Sequence, residues 1–113
     1  MTLAYKVLGQ VNPTASTTST LYTVPAATSC VVSTITVCNQ GTTATTFRVA
    51  VRPAGVALPI TAPSQYYINY ETALPGNDTL LLTMGITLAT TDVVSVFSTS
   101  SFTSFSAFGS EVT

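Results

Sequence analysis

The chain has 113 residues with three Lys+Arg, four Asp+Glu, no His, no Trp and two Cys, so it is read as a single domain, 1–113, able to bury about two thirds of its unfolded surface without metal or disulfide. Charged residues make up 6%, hydrophobic residues 46%, and close to a third of the chain is Ser or Thr, a balance too apolar for a disordered tail and one that leaves hydroxyls to cover the surface. Without His the common Ser-His and Cys-His nucleophile pairs and His-ligated metal sites are absent, and three cations cannot neutralise a run of phosphates, so neither a cofactor nor a nucleic-acid partner is expected.

Period-2 alternation recurs along the chain and helical spacing is nearly missing, which predicts an all-β fold. Residues 1–10 lack the continuous apolar core of a signal peptide, and no apolar stretch approaches the ~20 residues that cross a bilayer. Synthesis in the cytoplasm and no membrane partner are therefore expected. A first strand is predicted at 4–11, stopped by Asn12-Pro13. The Thr/Ser-rich stretch 14–20 reads as a surface connection, and a second strand, 20–24, ends at Pro25.

Cys30 and Cys38 flank a β-branched run that reads as one strand, 29–38. Eight residues at ~3.3 Å each set them about 26 Å apart, and a disulfide needs Cα atoms within ~7 Å. Both are expected to be reduced, core-type residues. After a turn at Asn39-Gln40-Gly41, the segment 44–52 alternates cleanly. Phe47, Val49 and Val51 are predicted to face the core, and Arg48 and Arg52 to face outward, open to the carboxylates of a partner.

The segment 53–64 holds Pro53, Gly55, Pro59 and Pro63, too many breaks for a central strand, yet it is too apolar for an ordinary loop. Val56, Leu58 and Ile60 need a surface, supplied either by the chain's own sandwich or by a neighbour. Together with Arg48, Arg52 and the Tyr66-Tyr67 edge they form the predicted partner-binding region, since prolines reduce the entropy lost on docking and tyrosines suit interface centres. In the next strand, 65–71, Tyr66, Ile68 and Tyr70 share one face and Tyr67 and Asn69 the other. Such rings also suit sugar stacking, although a core face with a rim tyrosine is the plainer reading.

Pro75-Gly76-Asn77-Asp78 reads as a turn into a strand at 78–84, closed by Gly85, and two more strands follow at 92–98 and 102–109. Phe102, Phe105 and Phe108 differ in parity, so one face is assigned to the core and Phe105, on the other, to cover by another element or a partner. Eight short strands at this spacing suggest a single antiparallel β-sandwich, jelly-roll-like. Catalysis would fall to Glu71, Asp78, Asp92 and Glu111, but each has a local explanation in a turn, a strand end or the C-terminus, and no enzyme is expected. Asn77-Asp78-Thr79 matches a glycosylation sequon without an export signal to give it meaning.

Thr20-Leu21-Tyr22-Thr23-Val24-Pro25-Ala26-Ala27, Val32-Ser33-Thr34-Ile35-Thr36-Val37-Cys38-Asn39-Gln40-Gly41, the stretch from Met84 through Thr90-Thr91-Asp92 to Val96, and Phe108-Gly109-Ser110-Glu111 resemble small β-sandwich virion proteins of tailed bacteriophages over most of the chain. The sequence departs from that pattern at Ala27 and Thr91, where such proteins often carry glycine. The resemblance implies a virion structural protein, foremost a capsid cement or decoration protein clamping the major capsid protein, with a neck, tail or fibre-associated component that touches the host surface as the alternative. A free carbohydrate-binding module or enzyme is the third reading. A nearly uncharged chain has little electrostatic protection against association, which agrees with a place in an assembly, in contact with the major capsid protein or other virion proteins and with copies of itself.

Overall fold

In the computed structural model, which describes residues 2–113, the alternating segments form eight strands: β1 (Leu3–Val11), β2 (Ser19–Thr23), β3 (Ser29–Asn39), β4 (Thr45–Arg52), β5 (Tyr67–Leu74), β6 (Thr79–Leu88), β7 (Val93–Ser98) and β8 (Thr103–Val112). They pair antiparallel into two four-stranded sheets, β1-β8-β3-β6 and β2-β7-β4-β5. Consecutive strands alternate between the two sheets except at β4 and β5, which are neighbours in one sheet; β6 takes the edge beside β3, β7 inserts between β2 and β4, and β8 between β1 and β3. The eight strands form the jelly-roll-like antiparallel sandwich predicted from strand number and spacing.

The core lies between the inner faces. Cys30, Val32, Ile35 and Val37 of β3, Phe105 and Ala107 of β8, Phe47 and Val49 of β4, and Val94 and Val96 of β7 are all buried. Phe47 and Phe105 meet edge to face with ring centroids 6.1 Å apart. Phe47 and Val49 therefore sit as predicted, while Val51, nearer the rim, is half-buried and packs against the core cluster. Parity fails in β8: Phe105 is a fully buried core residue and Phe102 the exposed one, because β8 starts only at Thr103 and Phe102 belongs to the preceding turn.

Both cysteines are free and lie on β3, as expected. Only Cys30 is buried, since a register shift between Val32 and Thr34 reverses parity and turns Cys38 outward. The strand predicted at 78–84 continues to Leu88. Gly85, at φ 61°, takes up the local irregularity without ending the strand.

The connections collect at two ends. At one, Val24 N donates to Asp92 O and Thr91 N to Val24 O, each at 3.0 Å. Ala27 and Thr91 stand in the left-handed region at φ 54° and 66°. A β-branched residue there is strained by about 1–2 kcal/mol. Thr91→Gly is expected to stabilise the protein by roughly 1 kcal/mol after the entropy of glycine is subtracted, read as a higher denaturant midpoint with an unchanged slope.

Candidate functional site

All three cations are engaged within the chain. Lys6 Nζ donates to Glu111 Oε1 at 2.9 Å, and Tyr22 Oη donates to the other carboxylate oxygen. The group bridges the sheets, joining β1 and β8 to β2. Glu111, expected only as a residue near the C-terminus, is 8% exposed. The Tyr22 hydroxyl and then the Lys6 ammonium hold its carboxyl below the ordinary 4.5, while burial pushes the Tyr22 phenol up. Glu71 is likewise lowered, by Thr46 and then Arg48. Two carboxylates with depressed folded-state values contribute stability that is complete above about 4.5 and lost as pH falls through those values. The melting temperature is expected to stay level from neutral pH to about 5 and to fall below that, with a shallower acid slope in Glu111→Gln.

On the outer face of β2-β7-β4-β5, Arg48 points outward as predicted but is not open to a partner. Its guanidinium lies between the Phe97 and Tyr70 rings, 4.1 and 4.6 Å from their centroids, and Nε donates to Glu71 Oε1. Arg52 donates from Nε to Ser95 Oγ at 2.9 Å and from Nη1 to the Val56 carbonyl at 2.7 Å. Their hydrogen-bonding directions face groups that β4 itself brings near, which alternation alone could not disclose.

The segment 53–64 takes the first of its two predicted courses and folds back over its own sheet. Leu58 and Ile60 face Ala50, Ser95 and Phe97 across a gap of about 10 Å³, too small for more than one water. Tyr67 Oη donates to Ile60 O at 3.1 Å, and Ala54 N to Asp92 Oδ1 at 3.0 Å. Ala50 and Ser95 pair with each other on the outward side of the sheet, yet both are buried because this strap roofs them. Val56 and Ile60 are half-buried, and Leu58 keeps 40% exposure. Deleting 55–61 is expected to lower the melting temperature of the isolated protein by several degrees, since it uncovers that surface and removes the hydrogen bonds from Arg52 to the Val56 carbonyl, from Tyr67 to the Ile60 carbonyl and from Val56 N to the Pro53 carbonyl.

The tyrosine parity is also corrected. β5 starts at Tyr67, and register shifts around Val49 and Ala50 break strict alternation, so Tyr67 and Tyr70 come together with ring centroids 4.9 Å apart. Tyr66, half-buried, precedes the strand, and its carbonyl accepts from Val51 N at 2.8 Å. The remaining carboxylates are turn residues as expected: Asp92 Oδ2 accepts from Ala89 N at 2.9 Å, and Asp78 Oδ1 from Thr79 N at 2.8 Å.

The opposite outer face, on β1-β8-β3-β6, is of another kind. Lys6 and Glu111 are the only charged residues in these four strands, and their registers, opposite Gly109 and Cys30, place them on the inner side. Among the described residues, the outer side of this sheet is therefore free of charge. Register assigns to it Leu3, Tyr5 and Val7 of β1, Val31 of β3, Phe108 of β8 and Leu81 of β6, set among Ser and Thr. Tyr5 is 80% and Leu81 65% exposed. No single apolar residue here is unusual, but Tyr5, Val7, Val31 and Phe108 line one shallow concavity, and such a grouped set is; Leu81 lies further along β6, level with Thr36 and Ser106. The sequence reading missed this face because β1, β3, β6 and β8 are far apart in the chain, and only the sheet order makes them neighbours.

Family models, curated proteins and solved structures, each compared with the chain, give no match.

Proposed function

We propose that the protein is a structural component of a phage virion, a capsid cement or decoration protein seated on the major capsid protein through the outer face of β1-β8-β3-β6. The observation that carries this reading is the absence of charge from that face together with its exposed Leu3, Tyr5, Val7, Val31 and Leu81. A charged partner surface pressed against it would bury unpaired ions, at a cost of several kcal/mol each, so the complementary surface is itself neutral and apolar to hydroxylic. Four strands at ~4.8 Å spacing and ~3.3 Å per residue over about ten residues give roughly 600 Å² in projection, close to the ~800 Å² per partner of a stable interface. The resemblance of 20–27, 32–41, 84–96 and 108–111 to small virion β-sandwich proteins supports the same reading.

Quantitative mass spectrometry of purified particles tests it. A copy number in fixed proportion to the major capsid protein is expected. A copy number matching a single vertex or the tail would move the protein to the neck, tail or fibre alternative, and absence from particles would end the virion reading.

A further inference from the structure

The proposed docking face leaves the loop end of the sandwich unused. There the β1–β2, β3–β4 and β7–β8 connections border an open, concave site of about 680 Å³, lined by Gln40, Thr42, Thr45, Thr99, Ser100 and Phe102 among others. That volume lies within the roughly 300–1,000 Å³ of small-ligand sites. No lining residue is charged, and one is aromatic.

Phe102 is 60% exposed, so it adds little to the core, yet it is held in place. Its N–H donates to Ser100 Oγ at 3.1 Å, its carbonyl accepts from Gln40 N at 2.9 Å, and its side chain packs over Gly41, where a Cβ would meet the ring at 3.3 Å. The loops beneath are fixed by two asparagines. Buried Asn39 donates from Nδ2 to Thr43 O at 2.9 Å and accepts from Gly41 N at 2.9 Å, and Asn12 Nδ2 donates to Ser101 O and Thr103 O at 2.9 and 2.7 Å. Gly76 serves the same end, since a side chain there would collide with the Thr42 carbonyl. An aromatic surface held this way loses little freedom on binding.

We infer that this site binds a neutral saccharide, with the Phe102 ring stacked on the apolar face of a sugar ring and the Thr42, Thr43 and Ser101 hydroxyls and the Gln40 side-chain carbonyl meeting its hydroxyl groups. An anionic ligand would find no cation here and a cationic one no carboxylate. A wholly apolar ligand would cut the Thr42, Thr43 and Ser101 hydroxyls off from water, at a cost that a ligand with hydroxyls of its own avoids. An extended peptide needs unpaired backbone donors, and those of Gln40, Gly41 and Phe102 are already used within the loops. A ring with one C–H face and a rim of hydroxyls satisfies all of these conditions.

Isotope-labelled full-length protein titrated with maltohexaose, cellohexaose and chitohexaose, with a heparin hexasaccharide as the anionic comparison, tests the inference by amide chemical shifts. At least one neutral sugar is expected to shift Gly41, Thr42, Ser100 and Phe102 saturably. Phe102→Ala should weaken that binding roughly tenfold, the size of one aromatic contact, with an unchanged melting temperature, and Phe102→Tyr should retain it. Leu81→Ala, on the proposed docking face, should leave sugar binding intact, so failure of the docking reading does not affect this one. No saturable shift with any of the neutral sugars, preference for the heparin fragment, or full binding by Phe102→Ala would overturn it.

Discussion

Phe47→Ala is expected to lower the stability of the isolated protein by about 3–5 kcal/mol, the usual cost of removing a buried phenyl ring from a core. Phe47 is fully buried and meets Phe105 of the other sheet edge to face at 6.1 Å, so one truncation removes both buried area and the contact that joins the two layers. A domain of this size holds about 5–15 kcal/mol in all, and a melting temperature lower by roughly 10–20 °C should follow. Phe105→Ala should cost a similar amount. The double variant should cost less than the sum, because the first truncation has already removed the pair. Phe102→Ala, three residues earlier, should change the melting temperature little.

The second large effect concerns attachment and not stability. Tyr5→Lys combined with Val31→Lys puts two ammonium groups on the outer face of β1-β8-β3-β6, where both native side chains are exposed. Lysines there remain hydrated in the free protein, so the melting temperature should move by no more than a degree or two. Docked on a neutral surface, each would be buried without a partner, and affinity should fall by about a hundredfold or more. Arg48→Ala provides the opposite pattern. It removes a guanidinium held between two rings and paired with Glu71, so it should cost modest stability and leave particle occupancy unchanged.

Local patterning carries much of this fold and little of its surface. Clean alternation in 44–52 places Phe47 and Val49 correctly because β4 pairs with β7 in one unbroken register from Phe47 to Arg52. The same logic misplaces Phe105, since the sequence does not mark the turn that separates it from Phe102. It also misplaces Cys38, Tyr67 and Tyr70, where register shifts alter parity in a way that single-strand patterning does not reveal. Glu111 shows the larger gap. Its partners, Lys6 and Tyr22, lie 105 and 89 residues away, and only closure of the first strand against the last brings them together. The strap 53–64 was legible as a segment in need of a surface, but which surface depended on Arg52, Ser95 and Tyr67 converging beneath it. The charge-free face is the extreme case: each strand looks like any other half-exposed strand, and the property belongs to the sheet order.

A density map of the intact particle, at a resolution that separates the two sheets of this jelly roll, tests the docking proposal most directly. The expected result is capsid density packed against Tyr5, Val31 and Leu81, with the strap 53–64 and the Phe102 end facing solvent. Capsid density against Arg48, Leu58 and Tyr70, with the outer face of β1-β8-β3-β6 in solvent, would contradict it.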